Sequence, residues 1–209
     1  MNTQIKYLSG AIRAELAGDA RFGYLVTPNM HNRPSGAPWG ADTGCFTKAG
    51  VRSFSVDKYL GWLKTWSPRE CLFATAPDVL GDAGATMTRS LPVLPAIRAA
   101  GFKAALVGQD GLEDLTVPWG EFDALFLGGS TEWKLSLAAA ELASQARARG
   151  LWVHMGRVNS YRRLAYAASI GCDSADGTFL AYGPDKNLPR IQNWFDKLAA
   201  CPKQYRIAA

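Results

Sequence analysis

The stretch from Leu151 to Thr178 reads LWVHMGRVNSYRRLAYAASIGCDSADGT and decides the fold. The apolar run from Leu151 to Met155 has the length of a buried strand. After a turn, Ser160 can cap a helix, and Gly171 is typical of the residue that follows a helix C-terminus. The apolar face of that helix consists of Leu164, Ala167 and Ala168.

A second short strand follows Gly171 and carries Asp173 and Asp176. The sequence therefore predicts a strand–helix–strand unit with two carboxylates near the end of its second strand. In α/β proteins the carboxyl ends of the strands are where chemistry takes place. Taken alone, a pair of aspartates with this spacing is more often a turn cap than a catalytic pair.

Composition indicates an ordinary globular protein. The 209 residues are enough for one domain with a substantial core, and we expect a single domain over residues 1–209. Neither a membrane-spanning run nor a secretory signal is recognised, which predicts a soluble, cytoplasmic protein. The net charge of +5 permits a polyanionic partner without requiring one.

The four cysteines and two histidines do not form the closely spaced pairs of a structural zinc site. We therefore expect no metal and no other cofactor. His154 lies in the apolar run, where a histidine is more often a hydrogen-bonded core residue than a catalyst. His31 lies in a loop, and its role stays open.

Strands and helices alternate along the rest of the chain. Further strands are predicted at Phe22 to Val26, Cys71 to Thr75, Lys103 to Val107 and Phe122 to Leu127. Helices are predicted over residues 1–20, Ser55 to Trp66, 84–100, Leu135 to Arg149 and Leu188 to Leu198, with Pro189 in the first turn of the last. Residues 28–50 are rich in proline and glycine and are predicted to be a loop.

Regular β-α alternation predicts a parallel sheet covered by helices. A closed (β/α)8 barrel and an open doubly wound sheet both fit. The sequence lacks a G-x-G-x-x-G turn after the first strand and a G-x-x-x-x-G-K-[ST] loop, which weakens the nucleotide-binding sheet. We predict a TIM-like barrel that is compact and incomplete, since such barrels usually have about 250 residues.

Polar residues recur where the predicted strands end. They are Asp42, Asp78, Gln109, Gly128-Gly129-Ser130 and Asp176. In a parallel barrel these ends meet on one face. Carboxylates and an amide can read a heterocycle that has donors and acceptors, and an ionised aspartate can attack a sugar carbon. Each residue also has a structural alternative, in which Gln109 ties down a loop and Gly128-Gly129 forms a turn.

Six segments occur in one order: DTGCF, APDV, GQDG, FLGGS, HMGRVN and GCDSADGT. This series resembles the active-site motifs of the queuine/archaeosine tRNA-guanine transglycosylases over roughly residues 40–180. The resemblance implies a catalytic barrel that exchanges guanine in a nucleic acid for a 7-deazaguanine base.

The resemblance also implies roles for individual residues. Asp176 would be the nucleophile, and Asp42 the second catalytic carboxylate, acting as acid and base or holding the entering base. Five residues would recognise the base: Asp78, Gln109, Gly128, Gly129 and Met155. Met155 would pack on the ring of the base. Phosphate groups would be held by Arg157, Arg162, Arg163, Lys186 and Arg190.

The sequence departs from the tRNA enzymes in two respects. It lacks their zinc-binding cysteines and histidine after the nucleophile strand, and it lacks the archaeal RNA-binding domain. In this it is similar to the small phage- and island-encoded members of the superfamily. DNA is therefore the favoured polymer and preQ0 the favoured incoming base, in the host cytoplasm if a phage encodes the protein. A homodimer or a partner protein is compatible with this interpretation.

Other functions remain open at this stage. The same chemistry could act on tRNA or on free nucleosides, as in a nucleoside deoxyribosyltransferase or hydrolase. A barrel that binds nucleic acid without catalysis would keep binding after loss of Asp176. An unrelated barrel lyase or isomerase would instead hold a phosphate or a metal in its pocket.

Overall fold

The computed structural model describes residues 4–10, 16, 18–30, 36–45 and 54–200. Eight parallel strands close into a barrel in which each strand pairs with the next in sequence and β8 pairs with β1. The strands are β1 Lys6–Ser9, β2 Phe22–Val26, β3 Trp39–Ala41, β4 Cys71–Thr75, β5 Ala104–Gly108, β6 Ala124–Leu127, β7 Trp152–Met155 and β8 Ser174–Asp176. The (β/α)8 prediction is confirmed, and closure excludes the open sheet.

Helices cover the outside of the barrel. They are α1 Val56–Leu63, α2 Ala83–Ser90, α3 Leu94–Ala99, α4 Thr131–Lys134, α5 Leu137–Ala148, α6 Tyr161–Ser169 and α7 Pro184–Ala200. Side chains cap the N-termini of α1, α2, α4, α5 and α6, as predicted for Ser160, whose Oγ accepts from the Arg163 N–H at 3.3 Å. Gly171 follows α6 with a φ of 84°, a conformation that glycine adopts without strain.

Two apolar layers result from this arrangement. Inside the barrel, a small cluster contains Leu8, Phe73, Ala105, Val107, Ala124 and Phe126. A larger cluster lies between the strands and the helices and includes Met155, Leu164 and Trp194. Because successive strand residues point to opposite faces, the inward residues of each strand also line the axis that leads to the carboxyl ends.

The predicted helix over residues 1–20 is wrong where the structure describes it. Residues Lys6–Ser9 form β1, and Tyr7 and Leu8 are both fully buried, one on each side of the sheet. A short strand buried on both faces lacks alternation, and its apolar residues can then be mistaken for a helical stripe. Ile12 lies outside the described residues.

The other differences concern short elements. Residues 28–50 contain β3, a three-residue strand that the surrounding prolines and glycines concealed. The predicted helix over 84–100 is two helices, α2 and α3, with Pro95 near the start of the second. Ser136 caps α5 and separates it from α4. Helix α7 begins at Pro184, so Pro189 lies inside it rather than in its first turn.

The helical layer is reduced, as the compact length predicted. The connection from β5 to β6 carries only a 3-10 helix, Leu112–Asp114. Among the residues with described positions, no helix is long and apolar enough to cross a membrane. Cys45, Cys71 and Cys172 are buried free thiols, and Cys201 lies outside the described residues.

Candidate active site

The carboxyl ends of the strands bring the predicted polar residues to one end of the barrel. Asp42 follows β3, Asp78 lies in the loop after β4, and Gln109 follows β5 directly. The Gly128-Gly129 pair follows β6, and Asp176 is the last residue of β8. In a closed parallel barrel these positions share one mouth, where enzymes of this fold place their chemistry.

Asp42 lies in a buried site near two other carboxylates. Burial, with smaller contributions from the negative charges of Asp78 and Asp176, raises the pKa of the Asp42 carboxyl to about 7. A hydrogen bond from the Gly44 N–H, 2.6 Å long, opposes the shift. Asp42 can therefore hold a proton near neutral pH while a neighbouring carboxylate is charged.

Asp78 and Gln109 form a pair. The side-chain N–H of Gln109 donates to Asp78 Oδ2 at 2.6 Å, and its Oε1 accepts from the Gly81 N–H at 2.9 Å. Gln109 is fully buried, so both ends of its amide are engaged. Gln109 thus orients Asp78, and its direct contact with a base stays a prediction.

The backbone N–H and carbonyl groups of Gly128 and Gly129 already have hydrogen-bond partners. The N–H groups of both glycines donate to the Gly108 carbonyl, at 2.9 and 3.1 Å. Both of their carbonyls accept from the Arg157 guanidinium. A side chain at either glycine would collide with a neighbour, Val107 at Gly128 and Trp133 at Gly129. The glycines are thus required by close packing, and their N–H groups already have partners.

Asp176 is held from behind by His154. The His154 Nε2 lies 2.9 Å from Asp176 Oδ1, and its Nδ1 lies 2.8 Å from Ser174 Oγ. The His154 side chain is 0% exposed and that of Asp176 14% exposed. His154 is a buried histidine with hydrogen-bond partners at both ring nitrogens, as predicted. One of these partners is the predicted nucleophile, Asp176. Asp173 accepts from the Val153 N–H of β7 at 2.8 Å, so its role is structural, although it is not the turn cap that was the alternative for it.

Two buried residues near Asp176 were not predicted. Tyr7 donates to the Val158 carbonyl at 2.9 Å, and its pKa is raised by burial and by the charge of Asp176. Lys134 is only 3% exposed and donates to the Gly156 carbonyl at 2.6 Å. Burial and the charge of Arg157 lower the pKa of Lys134 to about 8. The only sequence feature that could have indicated Lys134 is its position five residues after the glycine pair in FLGGSTEWK.

Met155 does not reach the mouth. It is 1% exposed and packs in the layer between strands and helices. Its neighbour His154 faces the barrel axis, where it contacts the Phe73 and Phe126 rings. The prediction that Met155 packs on the base is therefore wrong, because adjacent strand residues point to opposite faces.

The predicted phosphate-binding cations divide into two groups. Arg157 points into the loops and holds the glycine carbonyls rather than solvent, and Arg163 donates to the Arg157 carbonyl at 3.4 Å. Arg162, Lys186 and Arg190 are exposed on α6 and α7. Of these three, Arg190 also lies over the Phe179 ring and donates to Asn187 Oδ1 at 3.2 Å.

Two further kinds of site were considered besides the barrel mouth, a metal-binding cluster and a surface depression. In the described part of the chain, no group of three or more His, Cys, Asp or Glu side chains is placed to hold a metal ion. A surface depression of about 300 Å³ lies at the opposite end of the barrel, beside Trp39 and Trp66. That end of such barrels serves stability rather than chemistry.

Comparison with known proteins supports the fold. No known family model and no curated protein matches the chain. The Amycolatopsis orientalis BexX/CysO complex is similar in structure, with a TM-score of 0.56 and 14% identity over 99% of this chain and 94% of that chain. The tryptophan synthase complex from Pyrococcus furiosus matches with a TM-score of 0.49 and 13% identity over 79% and 67% of the two chains.

A third similar structure is the PaMucR phosphodiesterase in complex with c-di-GMP, with a TM-score of 0.43 and 15% identity over 69% of this chain and 60% of that chain. None of these three proteins is a tRNA-guanine transglycosylase. At 14% identity, the similarity to the BexX/CysO complex supports the barrel fold and says nothing of the reaction. The chain is a single-domain (β/α)8 TIM-like barrel.

Proposed function

We propose that this barrel is an enzyme, a guanine transglycosylase that replaces guanine in DNA with a 7-deazaguanine such as preQ0 through a covalent aspartyl intermediate. One observation carries the proposal. Asp42, Asp78 and Asp176 are remote in sequence but all lie at or just after the carboxyl ends of barrel strands, at one mouth. These are the residues that the resemblance to the tRNA-guanine transglycosylases marks as catalytic and base-binding.

In the first half-reaction, a carboxylate oxygen of Asp176 attacks C1′ of the target nucleotide. A C1′–O bond forms while the C1′–N9 bond breaks, and the electron pair of that bond leaves with guanine. Asp42 in its protonated form supplies the proton that makes the leaving base neutral. The products are a glycosyl ester on Asp176, free guanine and an ionised Asp42.

In the second half-reaction, the 7-deazaguanine enters and its N9–H gives a proton to Asp42. The N9 electron pair attacks C1′, and the C1′–O bond breaks with its pair returning to Asp176. Asp42 is then protonated again, so the exchange balances without any further reactant. A pKa of about 7 suits a group that must give and then take a proton near neutral pH.

Asp78 supports base recognition in this scheme. Because Gln109 holds Oδ2 of Asp78 at 2.6 Å, the carboxylate has a fixed direction. Burial raises the pKa of Asp78, while the hydrogen bond from Gln109 and the charges of Arg89 and Arg157 oppose the change. A fixed carboxylate suits the N–H donors on the Watson–Crick edge of guanine and of 7-deazaguanine.

Access to a guanine in DNA requires that the nucleotide leave the base stack. The exposed cations Arg162, Lys186 and Arg190 lie on the helices that follow β7 and β8, beside Asp176 in the barrel order. They are placed to hold phosphates next to an extruded nucleotide. These residues favour a polymer over a free nucleoside.

The test is an incorporation assay. The purified protein is incubated with preQ0 and, separately, duplex DNA, tRNA or deoxyguanosine, and the released guanine and the modified polymer are quantified by mass spectrometry. We expect incorporation into DNA by the wild type and none by Asp176→Asn. The matched control is Asp196→Asn, which removes a carboxylate that is 75% exposed on α7 and should leave exchange unchanged.

The other outcomes separate the alternatives. Incorporation into tRNA alone, or into deoxyguanosine alone, would overturn the choice of DNA and keep the chemistry. Binding of DNA by both the wild type and Asp176→Asn, with no guanine released by either, would show a nucleic-acid-binding barrel without this catalysis.

A further inference from the structure

His154 occupies the centre of a buried chain of hydrogen bonds beneath Asp176. The Trp152 indole N–H donates to Ser174 Oγ at 2.8 Å, Ser174 Oγ contacts His154 Nδ1 at 2.8 Å, and His154 Nε2 contacts Asp176 Oδ1 at 2.9 Å. The imidazole packs against two aromatic rings, with ring centroids 4.8 Å from Phe73 and 4.4 Å from Phe126. The ring therefore has one fixed place and orientation.

The chemistry of the partners decides which nitrogen carries the proton. An indole N–H can only donate, so Ser174 Oγ accepts from it and has its own hydrogen available for His154 Nδ1. An ionised carboxylate can only accept, so Nε2 must donate to Asp176. Burial lowers the pKa of His154, which keeps the ring neutral. The structure thus assigns the neutral Nε2–H tautomer.

We propose that His154 is a positioning residue for the nucleophile, a role that rests on the proposed transglycosylase function. By holding Oδ1 of Asp176, the imidazole directs the other carboxylate oxygen, Oδ2, toward the mouth and toward C1′. His154 is not itself a base toward substrate, since both ring nitrogens are engaged and the side chain is 0% exposed.

The position of Asp176 shows why such support is needed. Asp176 is the last residue of a three-residue strand, so the sheet fixes its backbone but not its carboxylate. Misplacement of a reacting group by about 1 Å can lower a rate by about 100-fold. The hydrogen bond from His154 to Oδ1 restricts the rotation of the Asp176 carboxylate, because Phe73 and Phe126 pack against the imidazole and hold it in place.

Other ionisable groups share the mouth and would contribute to any pH dependence. They are Asp42 after β3, Asp78 after β4 and Lys134 on α4. A positioning role predicts that the pH profile of exchange follows these groups and not His154. Replacement of the imidazole by a non-titrating donor should therefore leave the shape of the profile unchanged.

A first measurement tests the geometry without relying on activity. The chain has two histidines, so a His31→Gln variant isolates His154 in a 15N-labelled sample. Long-range 1H–15N correlation spectra distinguish the two neutral tautomers and the imidazolium ion. We expect the Nε2–H tautomer from pH 6 to pH 8. An Nδ1–H tautomer or an imidazolium ion in this range would overturn the assignment.

A second measurement tests the role. His154→Gln keeps a side-chain N–H donor, whereas His154→Leu keeps bulk and removes the donor. With folding verified by circular dichroism, we expect His154→Leu to lower kcat by about 100-fold with little change in KM. We expect His154→Gln to recover most of that activity with an unaltered pH profile.

The failures are distinguishable. If the wild type exchanges guanine and His154→Leu does so at the same rate, only the positioning role is wrong. A shifted pH profile in an active His154→Gln variant would also overturn it, since His154 would then titrate during turnover. If the wild type exchanges no guanine, the proposed function is wrong and the positioning role with it.

Discussion

The carboxyl group of Asp42 is the proposed acid and base of the reaction, and its burial also lowers the stability of the folded protein. Its pKa is raised to about 7 in the folded protein, from a usual value near 3.8. Because the folded state binds the proton more tightly than the unfolded state, this group makes the protein less stable as pH rises from about 4 to 7. Above pH 7 the loss is complete and constant.

Asp42→Asn should therefore abolish exchange and stabilise the fold. The asparagine retains an acceptor for the Gly44 N–H but has no charge to bury. Urea denaturation at pH 8 should show a gain of about 1–2 kcal/mol, and the gain should shrink at pH 5. An active Asp42→Asn protein, or a gain that grows as pH falls, would contradict the assignment.

Single residues at the ends of strands could be predicted because their position alone carries information. Asp78 follows a predicted apolar strand and Asp176 ends another, and parallel strands bring such residues together. Asp42 was recognised in the loop segment DTGCF, because β3 itself was not predicted. Tyr7, Ser174 and Lys134 could not be predicted in this way. Their roles depend on contacts across the barrel, such as that from Tyr7 to the Val158 carbonyl, which no local pattern encodes.

The loops after β6 and β7 support each other through two cations. Lys134, at the end of the short helix α4 that follows β6, donates to the carbonyl of Gly156, which follows β7. Arg157, from the loop after β7, donates to the Gly128 and Gly129 carbonyls of the loop after β6. Arg157 also has a φ of 59°, which a residue with a side chain adopts only when its surroundings compensate.

This mutual support predicts non-additive substitutions. Lys134→Met and Arg157→Gln should each lower exchange about tenfold, because either change releases both loops. The double variant should be little worse than the more damaging single variant, with a coupling free energy of about 1 kcal/mol in a urea-denaturation cycle. Lys64→Gln is the control, since that side chain is exposed after α1 and is not among the predicted phosphate-binding residues. Additive effects would show that the loops are independent.

Helix ends provide a second prediction at the level of elements. Gly150 and Gly171 follow α5 and α6 with φ values of 74° and 84°. A Cβ at Gly150 meets open space, whereas a Cβ at Gly171 meets the Arg147 side chain, which also donates to the Gly171 carbonyl.

Gly150→Ala should therefore lower the free energy of unfolding by about 1 kcal/mol, from backbone strain alone. Gly171→Ala should lower it by about 2 kcal/mol, because the Arg147 hydrogen bond is displaced as well. Thermal and urea denaturation of the two variants provide the comparison. Equal decreases would show that Arg147 contributes nothing.

Elements were predictable where their pattern was long or well bounded. Cys71–Thr75 was predicted with the bounds it has, since turns flank an apolar run. Strands β1 and β3 were missed because both are short and buried on both faces, so neither shows alternation. Closure of the sheet makes such short strands stable, and closure is a property of the whole chain.

The whole molecule carries a net charge of +5, which sets how it would meet a polyanion. Exposed Arg162, Lys186 and Arg190 flank the mouth, whereas exposed Lys64 follows α1, on a different part of the barrel. Removal of one cation that binds a phosphate should reduce the slope of log affinity against log salt by about 0.9.

Neutralising Arg162, Lys186 and Arg190 to glutamine should weaken DNA binding uniformly across sequences and flatten its salt dependence. Lys64→Gln should change neither. Fluorescence anisotropy at several salt concentrations measures both quantities. If the three changes leave the slope unaltered, the polymer meets a different face of the barrel.

The fold class followed from the β-α alternation, but the reaction did not. Barrels of similar shape serve unrelated functions, so shape alone does not assign an activity. The proposed function depends on one chemical event, the attack of Asp176 on a sugar carbon.

That event is tested most directly by trapping the intermediate. The protein is mixed with guanine-containing duplex DNA in the absence of an entering base, quenched in acid, digested and mapped by mass spectrometry. We predict a glycosyl ester on Asp176, together with an equal amount of released guanine, and neither in Asp176→Asn. Guanine release with the adduct on another residue, or with no adduct while Asp176→Asn remains active, would contradict the proposed mechanism.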